Sequence, residues 1–316
     1  MAFTRRNLLS TSLATALGVG AVSSVAPAQA ITAVGPRINH WKLAFDENFN
    51  GNIVDSTKWN IRDSEPFLNG VPGAWGNAPG HTPTVNSAKC VKVTNGRAIF
   101  HLEKLDKPVM VDGKQRLFKG GYLDSRGKFS AEYFRVEARM KMPSGITSHG
   151  NHACLWFRPD DNGEYGSNAT VPSLEIDLNE YYGVNYLGKA NNFNTTQRTE
   201  SSVHFDQTGS NKADNRAMYG MGWLPNAGQD LQNEWHIWSV EVTPTDGIVV
   251  KFDNKYVISH VPANDPRLLA AKKPGTKMHM RLNFEGGTEY WGHVTDANGL
   301  SGTMEVDYIR AWKYMV

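Results

Sequence analysis

The sequence predicts an all-β domain, a sandwich or barrel of antiparallel strands, and three observations carry that expectation. Short runs rich in β-branched and aromatic residues recur from Trp41 onward, Gly, Pro, Asn and Asp clusters separate them, and the one persuasive helix is short. With 316 residues, 40% hydrophobic and 10% aromatic, the chain can fill one large β core, and no repeat, linker or low-complexity tract divides it.

The strand runs are Lys89–Thr94, Arg97–Glu103, Tyr133–Met142, His236–Thr243, Ile248–Asp253 and Met304–Lys313. Tyr133–Met142 alternates plainly, with Phe134, Val136, Ala138, Met140 and Met142 on one face and Arg135, Glu137, Arg139 and Lys141 on the other, so it lines a sheet with one polar side. Thr94-Asn-Gly-Arg97 and Asp253-Asn-Lys255 read as hairpin turns, because Asn and Gly accept positive φ. Asp265–Lys273 reads as the helix, with Pro266 in its first turn and Pro274-Gly275 closing it. Trp235, Trp238 and Trp312 are expected in the core.

Residues 1–30 read as a cleaved leader: Thr4-Arg-Arg-Asn-Leu-Leu-Ser10 precedes an apolar stretch ending Ala28-Gln-Ala30. The paired arginines match a twin-arginine signal, with an ordinary secretory leader as the alternative, so residues 31–316 form a single domain expected outside the cell. Loss of Arg5 and Arg6 leaves 31 basic and 31 acidic residues, a neutral chain without the basic stripe of a nucleic-acid binder. No later apolar run approaches the ~20 residues of a membrane span. The mature chain is expected to be a monomer without membrane or nucleic-acid partners. Cys90 and Cys154 are either two buried free thiols or one bridge.

Chemistry concentrates in Ser173-Leu-Glu-Ile-Asp-Leu-Asn-Glu180, where Glu175, Asp177 and Glu180 fall within six residues. Glycoside hydrolysis needs two carboxyl groups flanking the scissile bond, one to protonate the leaving oxygen and one to attack or to activate water. In a regular strand Glu175 and Asp177 share a face while Glu180 points the other way; a β-bulge after Asp177 restores it. The Cα atoms of Glu175 and Glu180 then lie roughly 13 Å apart. Inward-leaning side chains bring the carboxyl groups toward the ~5 to 5.5 Å of a retaining enzyme. Asp177, between them, is expected to hold Glu175 in place and to keep a proton on Glu180 by like-charge repulsion.

This run resembles glycoside hydrolase family 16, the laminarinase-like group, whose signature is ExDxxE on one bulged strand. The likeness continues through Trp41-Lys-Leu-Ala-Phe-Asp-Glu-Asn-Phe-Asn-Gly51, Gly73-Ala-Trp-Gly-Asn77, Gly127-Lys-Phe-Ser130, Trp235-His-Ile-Trp-Ser-Val-Glu241 and Met304-Glu-Val-Asp-Tyr-Ile-Arg310, in order along nearly the whole mature chain. It implies a concanavalin-like β-jelly-roll sandwich of two antiparallel sheets with a concave substrate cleft. It also makes Glu175 the nucleophile, Asp177 its partner and Glu180 the acid/base. By motif position it implies sugar-binding roles for Trp75, Trp156 and His204, with Trp291, whose flat rings suit the apolar faces of sugars. A structural calcium is implied at Glu47 and Asp307; catalysis itself calls for no cofactor.

The implied activity is an endo-acting retaining hydrolase of a β-linked polysaccharide, a β-1,3- or mixed-linkage glucan first and a galactan or agar-like polymer second. Several departures bear on that choice. Ala78-Pro-Gly-His-Thr82 follows Trp-Gly-Asn, Leu174 stands for Gly, Asn179 stands for an aliphatic residue, and Arg158, Asn283 and the segment Glu285–Trp291 are candidates to face substrate. Two rivals share the architecture: a non-catalytic carbohydrate-binding jelly roll, and a polysaccharide lyase, which uses Tyr, His and Arg rather than three carboxylates. His149, His152 and Cys154 lack the spacing of a strong metal signature.

Overall fold

The computed structural model describes residues 40–64, 84–111, 114–143, 149–160, 173–183, 199–206, 216–223, 230–286 and 302–315. Strands follow one another as β1 (Trp41–Glu47), β2 (Asn60–Ile61), β3 (Thr84–Asn86), β4 (Val91–Thr94), β5 (Arg97–Val111), β6 (Lys114–Gly120), β7 (Tyr122–Asp124), β8 (Phe134–Lys141), β9 (His149–Pro159) and β10 (Ser173–Gly183). They continue as β11 (Glu200–Asp206), β12 (Arg216–Trp223), β13 (His236–Thr243), β14 (Gly247–Phe252), β15 (Tyr256–Val261), β16 (Met278–Gly286) and β17 (Thr303–Tyr314). Helix α1 (Pro266–Ala271) lies between β15 and β16, with Asp265 accepting the Arg267 N–H as its cap and Pro266 at its start.

Among the described residues, ten strands form one sheet in the order β15-β14-β13-β8-β17-β5-β6-β3, with β1 joined to β17 and β4 to β5. Seven form the other, in the order β12-β11-β10-β9-β16-β7-β2. Their inner faces make the core. Phe134, Val136, Ala138 and Met140 of β8 are fully buried, as are Leu155 and Phe157 of β9 and Leu174 and Ile176 of β10. Phe134 and Phe157 stack across the two sheets with centroids 5.1 Å apart.

Both predicted hairpin turns use left-handed backbone: φ is 51° at Asn95 and 70° at Gly96, and 48° and 53° at Asp253 and Asn254. Two expectations are corrected. The sheets are not wholly antiparallel, since β3 pairs parallel with β6; β4 and β5 intervene in the chain and supply the crossover that parallel pairing needs. Trp238 is in the core, but Trp235 and Trp312 are half-buried on the outer face. There they lie beneath cations: Arg139 is 4.9 Å from the Trp235 ring centroid and Arg135 is 5.2 Å from that of Trp312. Cys90 and Cys154 are separate, buried free thiols.

Candidate active site

The outer face of the seven-stranded sheet carries the acidic centre, and β10 places it there through an irregularity. Against β9, Asp177 pairs with Trp156 and Asn179 with Leu155; against β11, Asp177 pairs with Ser202 and Glu180 with Glu200. On both sides β10 advances one residue more than its neighbour, which is a β-bulge at Leu178-Asn179. Leu178 and Asn179 are both turned into the protein, and Glu180 returns to the face of Glu175 and Asp177.

A bulge strands ladder groups, and here side chains take them up. Asn179 Oδ1 accepts the Leu155 N–H at 2.9 Å, and Ser201 Oγ donates to the Asp177 carbonyl at 2.8 Å. Asn179 also donates to the Ala153 carbonyl at 3.4 Å. An aliphatic residue at 179 would leave the Leu155 N–H without that acceptor. Asn179, a departure from the family pattern, is the residue that fits this bulge.

Each acid is held. Glu175 Oε2 accepts from Arg158 Nη1 at 2.8 Å, both buried, and Glu175 is paired across the ladder with His204. His204 Nε2 lies 3.0 Å from Asp177 Oδ2. Ser202 Oγ sits 2.8 Å from Asp177 Oδ2 and 2.9 Å from Glu180 Oε2. One hydroxyl hydrogen serves one carboxylate at a time, so both contacts are hydrogen bonds only when one of the two carboxyl groups carries a proton. On the other flank His152 Nε2 is 3.1 Å from Glu180 Oε1, and its Nδ1 is 3.2 Å from Glu285 Oε1.

The structure brings Glu175, Asp177, Glu180, Arg158 and His204 together on this face, with Ser202, His152 and Glu285 beside them, and pairs Arg158, a candidate to face substrate, with Glu175. The signal for Glu285 was available: Met278-His-Met-Arg-Leu-Asn-Phe-Glu285 alternates without a break, and β16 turns Met278, Met280, Leu282 and Phe284 into the core. Trp156 packs with Tyr122 and Cys154 on the site face and donates its Nε1–H to Asn283 Oδ1 at 2.6 Å, while Arg281 lies 4.9 Å from its ring centroid. Trp75 and Trp291 lie outside the described residues.

Crowding sets the electrostatics. Burial, then the Glu180 and Glu175 charges, push Asp177 up to about 6 against the opposing pull of His204. Burial alone would lower His204, but the Asp177 hydrogen bond and the neighbouring acids raise it to about 9, so the imidazole is a cation at neutral pH. His152 is raised as well: burial opposes its charge, while Glu180 and Glu285 favour it. Burial pushes the Cys154 thiol up to about 12, so the neutral thiol is not what holds the His152 charge. Glu200, opposite Glu180 on β11, is pushed up to about 8 by burial and then by Glu180 and Asp177, and its Oε2 has no hydrogen-bond partner among the described residues.

Glu200 yields a stability prediction. Its folded pKa is raised, so the native state keeps a proton that the unfolded chain releases above about pH 4.3, and stability is lost as pH rises through about 8. Glu200→Gln removes that loss. The melting temperature of the variant relative to wild type should climb by roughly 5 °C between about pH 5 and about pH 9, followed by circular dichroism. A difference that stays flat with pH would refute the assignment.

The calcium expectation meets a different arrangement. Glu47 is buried, with Oε1 accepting the Phe49 N–H at 2.7 Å and Oε2 accepting Trp59 Nε1–H at 3.3 Å, while Asp307 pairs with Arg139 at 2.6 Å. The two carboxylates engage separate partners in this structure.

A family model described as the GH16 domain of β-porphyranases A–D matches residues 42–314. The chain belongs to glycoside hydrolase family 16. Among family-16 and related proteins it is 28% identical over 290 residues to glucan endo-1,3-β-glucosidase A1 of Niallia circulans, covering 89% of this chain and 39% of that one. It is 25% identical over 279 residues to a keratan-sulfate endo-1,4-β-galactosidase of Sphingobacterium multivorum, covering 86% and 55%. The chain thus spans about two fifths and about half of those two relatives. The catalytic domain of the Thermotoga maritima laminarinase superposes with a TM-score of 0.65 at 22% identity, covering 87% of this chain and 99% of that one. The jelly-roll expected of the family is the fold observed.

Proposed function

We propose that this family-16 domain is an endo-acting, retaining hydrolase of β-linked polysaccharide. The observation that carries the reading is the bulge, which sets Glu175, Asp177 and Glu180 on one face of β10. In the first step Glu175 attacks the anomeric carbon while Glu180 gives its proton to the departing oxygen. In the second, Glu180 takes a proton from water as it displaces Glu175. Arg158 holds Glu175 ionised before attack and receives the carboxylate when it leaves. Asp177, tied to Ser202 and His204, fixes the spacing and shares a proton with Glu180. The leader at residues 1–30 supports export, so that the enzyme meets its polymer outside the cell.

For the polymer, the porphyranase description of the matching family and the Ala78-Pro-Gly-His-Thr82 departure favour a porphyran-type, agar-like substrate. The Niallia relative favours a β-1,3-glucan as the second reading. Reducing-end release from porphyran, agarose, keratan sulfate, laminarin and mixed-linkage glucan separates them: porphyran should be cut fastest, and laminarin alone would select the glucan reading. NMR of the first-formed product should show retained anomeric configuration; inversion would remove the nucleophile role. Binding to a polymer with none of them cleaved would make this a carbohydrate-binding module.

A further inference from the structure

We propose that His152, Cys154 and Glu180 form a site for a thiophilic divalent cation of the Zn2+ class, and that its occupation stops hydrolysis. One nitrogen, one sulfur and one oxygen ligand atom converge, all within 4.8 Å of one another. His152 Nε2 lies 3.4 Å from Cys154 Sγ and 3.1 Å from Glu180 Oε1. Tetrahedral Zn2+, with bonds of about 2.3 Å to sulfur and 2.0–2.2 Å to nitrogen and carboxylate oxygen, separates its ligands by roughly 3.2–3.6 Å. A cation can enter with small side-chain adjustments.

A second, independent feature points to a ligand. Glu285 Oε1 stands 3.2 Å from His152 Nδ1, so an imidazole that yields its Nε2 proton to a metal keeps Nδ1–H on that carboxylate and offers Nε2 as the ligand atom. A carboxylate behind a histidine in this way is the usual support of a metal-bound imidazole. The backbone holds all four residues: His152 and Cys154 are two apart on one face of β9, Cys154 pairs with Glu180 on β10, and His152 pairs with Glu285 on β16. Because the ligands come from different strands, no compact sequence motif announces them.

Binding needs no redox change. The thiol and the imidazole each give up the proton that the metal replaces, and Glu180 supplies its carboxylate. A thiolate ligand selects Zn2+, Co2+ or Cd2+ over Ca2+ and Mg2+. A metal-bound Glu180 can neither donate nor accept a proton, so inhibition rests on its acid/base role, whereas binding rests on the geometry alone.

Co2+ titration of the purified protein reads the site directly. Wild type and Cys90→Ala should develop thiolate-to-cobalt charge-transfer absorption with a tetrahedral d–d spectrum. Cys154→Ala should lack the charge-transfer band, and Glu285→Gln should weaken binding about 10- to 100-fold. Zn2+ should displace Co2+ and inhibit hydrolysis with the same midpoint as it binds. Cobalt bound to wild type without a thiolate band, no binding below millimolar metal, or a band surviving in Cys154→Ala would each overturn the site. The wild-type spectrum decides even if the alanine variant fails to fold. A thiolate band with undiminished hydrolysis would instead overturn the inhibition, and with it the role of Glu180.

Discussion

Replacing Glu175 with glutamine should lower polysaccharide hydrolysis by at least about 10,000-fold while the β-sandwich stays folded. The change keeps the shape of the side chain but removes the charge that attacks, so no covalent glycosyl intermediate forms. Glu175 is 6% exposed and shares that burial with Arg158, 2.8 Å away. The glutamine oxygen still accepts the guanidinium hydrogen bond, which limits the cost; an alanine there would remove that bond from a buried cation and should cost more stability than the glutamine. Reducing-end release gives the rate and a circular dichroism melt gives the fold. Wild-type activity in folded Glu175→Gln protein would remove the nucleophile assignment.

Glu180→Ala should behave differently, and the contrast between the two variants is the stronger test of roles. Loss of the proton donor should cost roughly 100- to 10,000-fold on the natural polymer, whose leaving alkoxide needs protonation. On an aryl glycoside whose leaving group departs unprotonated, formation of the glycosyl-enzyme should survive. The second step, deprived of its base, should then limit turnover, giving a burst of aryl alcohol and rescue by azide, a nucleophile that needs no base. Equal losses on both substrates, with no burst and no rescue, would place Glu180 outside the proton transfer.

The carboxylate centre was legible because its chemistry is local. Three acids on one strand, spaced so that a regular pleat would misdirect one of them, require a bulge, and the ladder registers show that bulge where parity demands it. The ten-stranded sheet was legible for a related reason: strands such as β8 are apolar toward the core and charged outward. Much of the seven-stranded sheet was harder to see. Its outer face is polar yet buried, with Arg158, Asp177, His279, Arg281 and Asn283 all nearly inaccessible, so the usual contrast between apolar-buried and polar-exposed residues fails there. Ser202, His152 and Glu285 act through pairings across strands far apart in sequence, and register between strands is not written in any one of them. Trp235 and Trp312 were misplaced because aromaticity alone does not separate a core ring from one lying under an arginine.

The three acids reach the substrate from one continuous strand, stitched on both sides into its sheet. Their mutual spacing is therefore set by covalent bonds and ladder hydrogen bonds, and not by how the two sheets settle on each other or how the rims are built. Such a centre can be carried unchanged beneath different rims, each admitting another polymer. The names of two relatives speak of a glucan and of keratan sulfate, two polysaccharides of unlike composition. With the spacing of the acids written into one strand, a change of polymer need not retune the chemistry.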